Sequence, residues 1–117
     1  MNQSTVVVKA NSHSSPFENT PPLIITGLDA LSIRGLAKRP GNVSVKGVFN
    51  SLSKSMAEEH WDNTPEICDE FETVISNARA KFFDPTRTLS EQRMAGRVIF
   101  NDIQAQLNER GLIMEIS

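Results

Sequence analysis

The stretch Leu31-Ser32-Ile33-Arg34-Gly35-Leu36-Ala37 is paraphrased by Val43-Ser44-Val45-Lys46-Gly47-Val48-Phe49, and Lys38-Arg39-Pro40-Gly41-Asn42 divides the two copies. Each copy alternates apolar and polar residues. The divider carries a Pro-Gly pair, a fixed φ followed by a residue that tolerates positive φ. Read this way, 31–49 is a β-hairpin. Leu31 then lies opposite Phe49, Ile33 opposite Gly47, Gly35 opposite Val45 and Ala37 opposite Val43, so that one face is wholly apolar or glycine. The other face opposes Arg34 to Lys46 beside Lys38 and Arg39. Like charges directly opposite destabilise a ribbon unless an anion lies across them.

The same residues admit a second reading, a helix-turn-helix over Ser32–Leu52. Leu36-Ala37-Lys38-Arg39 would end a first helix, Gly41 would make the turn, and Val45, Val48, Phe49 and Leu52 would lie on a recognition helix. Here Ala37 precedes Gly41 by four places, which bears a loose likeness to the repressor-type pattern of a small residue four before the turn glycine. Against it stand Pro40 before the turn, an extra residue before Val48, and Gly35 and Gly47 within helices, where each glycine costs about 1 kcal/mol relative to alanine. The hairpin is the preferred reading. Both readings gather Arg34, Lys38, Arg39 and Lys46 on a small surface.

Outward from this stretch, Pro21-Pro22 precedes Leu23-Ile24-Ile25-Thr26-Gly27, a short apolar run that reads as a buried strand. Downstream, Asn50 or Ser51 can cap a short helix to about His60. Residues 64–83 carry the clearest helical pattern: Thr64 as N-cap, Pro65 at the first position, and Ile67, Phe71, Val74, Ile75, Ala78 and Phe82 along one stripe. Thr88-Leu89-Ser90-Glu91 matches a capping box and opens a helix over 89–110, with Ala95, Val98, Ile99, Ile103 and Leu107 on its buried side. Gly111 is its C′ residue, and Leu112–Ile116 leaves as a terminal strand. Gly96, inside this helix, marks a place where another backbone crosses closely. The predicted class is α+β: a small antiparallel sheet, with the hairpin and short strands, packed on an antiparallel pair of helices. Residues 1–22, rich in Ser, Asn, Thr and Pro, read as an extended or flexible N-terminal arm, whose Thr5–Lys9 could join a sheet edge. Residues 23–117 read as a single domain.

The 117 residues carry a net charge of −2, unevenly distributed. Residues 1–57 hold six basic against two acidic side chains, and residues 58–117 hold six basic against twelve acidic. This asymmetry says more about partners than the overall charge does. No apolar run approaches the ~20 residues of a membrane helix, so no membrane association is expected. The single Cys68 cannot make an intrachain disulfide, and with no secretory signal at the N-terminus the expected location is the cytoplasm.

Chemistry-bearing residues are sparse. Cys68 and His60 flank a helix start with no third group to orient the imidazole, and Glu58-Glu59-His60-Trp61-Asp62 lacks the paired histidines of a metal-binding helix. Neither a catalytic residue nor a cofactor nor a metal is expected. The leading expectation is a small non-enzymatic nucleic-acid-binding or regulatory protein, a homo-oligomer, whose Arg34, Lys38, Arg39 and Lys46 meet a phosphate backbone or another acidic partner. The alternative is a protein-interaction module (adaptor, inhibitor or assembly component) that uses the N-terminal arm and the acidic helix face of Glu66, Asp69, Glu70 and Glu72.

Overall fold

Alternating burial along three short segments builds the sheet. The computed structural model describes residues 4–39, 43–58, 61, 65–82, 86, 88 and 95–117. Strands β1 (Thr5–Ala10), β2 (Leu23–Thr26) and β3 (Leu112–Ile116) form an antiparallel sheet in the order β2-β1-β3. Val8 pairs with Leu23 on one side and Met114 on the other, and all three side chains are buried. The intervening residues Val7, Ile24, Ile113 and Glu115 turn to the opposite, partly exposed face, as the two-residue period of a strand requires.

Helices α1 (Gly27–Lys38), α2 (Val45–Ala57), α3 (Pro65–Phe82) and α4 (Gly96–Glu109) supply the rest of the core. Helix α1 packs on β1 and β2, α3 on β1, and α4 on β3, whereas α2 packs on α1 and α3. The fold is therefore α+β, with helices laid on a small antiparallel sheet; α3 and β3 lie where the sequence puts them, and α4 falls within its expected range, although Val98, expected on its buried side, is 56% exposed. The capping box at 88–91 and the expected connection between α3 and α4 fall largely outside the described residues.

Two elements differ from expectation. The first is the hairpin: residues 31–49 are not a ribbon, because 31–38 belong to α1 and 45–49 to α2, joined through residues 39–44. Over seven residues a two-residue and a 3.6-residue period overlap, and only the flanks separate them. Here the helical spacing runs on beyond the repeat, through Ala30, Ile33, Leu36 and Ala37 in α1 and Val45, Val48, Phe49 and Leu52 in α2, all buried. Packing offsets the glycine cost. A Cβ on Gly35 would come 2.4 Å from a methyl of Val43, so the close approach of α1 to the following chain depends on its absence. Gly47 lies in the first turn of α2, where its N–H donates to the N-cap Ser44 Oγ at 3.2 Å.

The second concerns the N-terminal arm. Its residues 5–10 form the central strand of the sheet rather than an addition at an edge, with Val6 and Val8 fully buried, so the boundary expected at residue 22 falls between two paired strands. Residues 11–20 are tied down as well: Asn11 N–H and Ser15 Oγ both donate to the Gly111 carbonyl, at 3.0 and 2.5 Å.

At the free edge of β3, the Gln104 side-chain amide bonds both backbone groups of Met114, accepting from its N–H and donating to its carbonyl, each at 2.8 Å. Gly111 is the expected C′ residue of α4, with φ +84°. An added Cβ there would lie 2.9 Å from Ser15 Oγ and 3.0 Å from Pro16 Cδ. Gly111→Ala is expected to lower stability by about 2 kcal/mol, combining left-handed strain with overpacking, as a drop in urea midpoint at unchanged slope.

Candidate nucleic-acid interface

Helical spacing puts Leu31, Arg34, Gly35 and Lys38 on one side of α1. With Arg39 and Val43 they line a groove of about 520 Å³ in which no described acidic residue takes part. Arg34 is exposed, and its Nη1 donates to the Oγ of the buried Ser4 at 3.3 Å, which tethers the guanidinium toward the start of β1. Arg39 is the C-cap of α1; its N–H donates to the Gly35 carbonyl at 2.8 Å while its side chain is exposed. Lys46 does not line the groove. It is exposed in the first turn of α2, three residues beyond Val43, so the groove brings together three of the four predicted cations.

Among the described residues, Lys9, Lys81 and Arg110 each pair with a carboxylate, to Glu115 at 3.2 Å, Asp102 at 2.7 Å and Glu70 at 2.5 Å. Arg34, Lys38, Arg39, Lys46 and Lys54 make no such pair with any described residue. From α1 through Glu58 the acids are Asp29, which is buried, and Glu58. Arg34 and Lys38 stand one turn apart, where like charges cost a few tenths of a kcal/mol. The last-turn position of Lys38, beside the negative end of the α1 dipole, offsets part of that cost. Such a surface offers hydrogen-bond donors and positive charge, and among the described residues that line it none is a nucleophile or part of an acid–base pair.

No family model, curated protein or solved structure matches this chain. The reading of the site therefore rests on its own geometry.

The alternative site is dispersed. Glu66, Asp69 and Glu72 are exposed on α3, and Asp69 and Glu72 flank a shallow groove with Thr73, Ser76 and Asn77. Glu70 is engaged by Arg110, and the arm expected to act with this face is committed to the sheet. Arg97 donates to the Ala37 carbonyl at 2.5 Å, binding α4 to the last turn of α1 beside the buried Gly96. Arg93 and His60 lie outside the described residues. Cys68 is half-buried on α3.

Two features escaped the sequence reading. Asp29, 6% exposed in the first turn of α1, accepts from Ser51 Oγ and Ser55 Oγ at 2.5 Å each and from Trp61 Nε1 at 3.0 Å. Trp61 in turn meets Phe71 edge-on, with ring centroids 6.1 Å apart. The cluster fixes α2 against α1 and so sets the shape of the basic corner. Its signal was the one-turn spacing of Ser51 and Ser55, which has meaning only once 45–57 is a helix. The other is the outer face of α2, where Asn50 and Lys54 are exposed with Lys46.

Proposed function

We propose that this chain is a non-enzymatic nucleic-acid-binding protein of the cytoplasm that holds phosphate backbone at the corner between α1 and α2. The observation that carries the reading is the groove of Arg34, Lys38 and Arg39, which no described carboxylate pairs and in whose lining no described acid takes part. Elsewhere among the described residues Lys9, Lys81 and Arg110 have partners, so neutralisation within the chain is available to this protein and is not used here. The groove is open and donor-rich, as sequence-tolerant phosphate binding needs. In keeping with the absence of charge pairing, affinity should fall steeply with salt as counterions are released. No described helix is long and apolar enough to cross a membrane.

The test is a salt titration of binding to a mixed-sequence duplex, with light scattering on the same samples to count subunits. Replacing Arg34, Lys38, Arg39 and Lys46 together by Ala is expected to weaken binding at least tenfold at about 0.1 M salt and to flatten the log–log salt slope by about 3. Equal affinity and equal slope for the two proteins would refute the proposal. All four side chains are exposed, so an unchanged melting curve is expected to certify the variant's fold.

A further inference from the structure

From the outward face of α2 we infer that this helix enters the major groove of duplex DNA, with Asn50 against the base edges and Lys46 and Lys54 on the flanking phosphates. The inference rests on the phosphate-binding reading above and names its partner.

Helix α2 buries Val45, Val48, Phe49 and Leu52 and turns Lys46, Gly47, Asn50, Lys54 and Ala57 to solvent. At 3.6 residues per turn, Asn50 stands near the middle of that exposed face. Lys46 and Lys54 lie one turn to either side of it, each about 40° off its line and about 6 Å along the axis. The two lysines are therefore about 12 Å apart along the helix, comparable with the width of the B-DNA major groove, which admits a helix of this diameter. Gly47 and Ala57 keep the face shallow, so a double helix can approach the α2 backbone closely. Helix α2 itself carries no acid; Lys54 shares a groove with the buried Asp29 and with Glu58 just beyond the last helical residue, and the turn of Lys46 and Asn50 lies outside that groove.

A central amide between two cations is a chemically specific arrangement. An asparagine side chain both donates and accepts, and it can bond the N6 and N7 atoms of adenine together, whereas ammonium groups bind phosphate with little regard to sequence. Packing on α1 and α3 rather than on the sheet leaves α2 presented by a rigid helical layer, with the Asp29 cluster holding its angle. The groove of Arg34, Lys38 and Arg39 opens beside the N-terminal end of the same helix, through Val43, and extends the track available to the backbone. The geometry also discriminates among nucleic acids, because the deep, narrow major groove of A-form RNA excludes a helix.

The full chain is titrated by fluorescence anisotropy against a DNA duplex pool with a randomised centre, the corresponding RNA duplex and poly-glutamate. The bound DNA is recovered and sequenced. Duplex DNA is expected to bind at least tenfold tighter than duplex RNA. Replacing Lys46 and Lys54 together by Ala should reduce the salt slope by about 2. Asn50→Ala should keep the slope and erase the adenine preference that the wild-type protein selects from the pool. Equal binding of the two duplexes, an unchanged slope in the lysine variant, or a base preference indifferent to Asn50 would overturn the placement of α2 while leaving phosphate binding intact. Binding of poly-glutamate with none of either duplex would overturn both.

Discussion

Phe49→Ala is expected to remove about 3–5 kcal/mol of stability, and Leu31→Ser less than about 0.5 kcal/mol. In a hairpin these two residues would face one another across the base of the ribbon and share a fate. In the helical arrangement they part company: Phe49 is 1% exposed within the core of α2, and Leu31 is 51% exposed on α1. Truncating Phe49 deletes an aromatic ring at the junction of α2 with the core and leaves a cavity that the surrounding helices close only in part. For a chain of this size the loss corresponds to a fall in melting temperature on the order of 15 °C. Leu31 gives up little, because most of its side chain already contacts water. Thermal and urea denaturation of both variants measure the contrast, and equal losses would contradict the helices.

Asp29→Ala is expected to cost about 3 kcal/mol. Three donors converge on this carboxylate, and hydrogen bonds to a charged acceptor contribute about 1.5–3 kcal/mol each when removed singly. They are not additive, since the half-buried serines can turn to water once the acceptor is gone. The Trp61 indole N–H is buried and keeps most of its penalty. Ser51→Ala alone should cost only about 1 kcal/mol, because Asp29 retains two donors. Denaturation followed by Trp61 fluorescence reads both changes at the cluster itself. A variant at position 29 as stable as the wild type would mean that the three hydrogen bonds contribute no net stability. Because the cluster also joins α2 to α1, its loss should weaken the proposed nucleic-acid binding without touching any basic residue.

How much of this was legible depended on the length of pattern available. Helix α3 announced itself over eighteen residues, with Pro65 at its start and an apolar stripe that no other period fits. Gly111 and the strand after it were marked by local chemistry, a left-handed cap followed by a hydrophobic run. Residues 31–49 misled because the two copies are seven residues each, too short to separate an alternating pattern from a helical one, and because Pro-Gly describes a helix connection as well as a hairpin turn. Glycine was the stronger source of error. Gly35 and Gly47 weighed against helices when judged by propensity alone, yet one admits Val43 and the other occupies a capped first turn, reasons visible only in three dimensions. Arg34 and Lys38 stayed together through the change of secondary structure. Arg34 and Lys38 are four apart, so they share a side whether the chain is a strand or a helix. Asn50, Lys54 and the Asp29 cluster lacked that coincidence.

The amide of Gln104 acts as a one-residue substitute for a neighbouring strand. Occupying the outward N–H and carbonyl of Met114, it stoppers one of the two margins of the sheet and leaves β2 as the other. Strand pairing between copies of this chain would find Met114 already taken at the β3 margin.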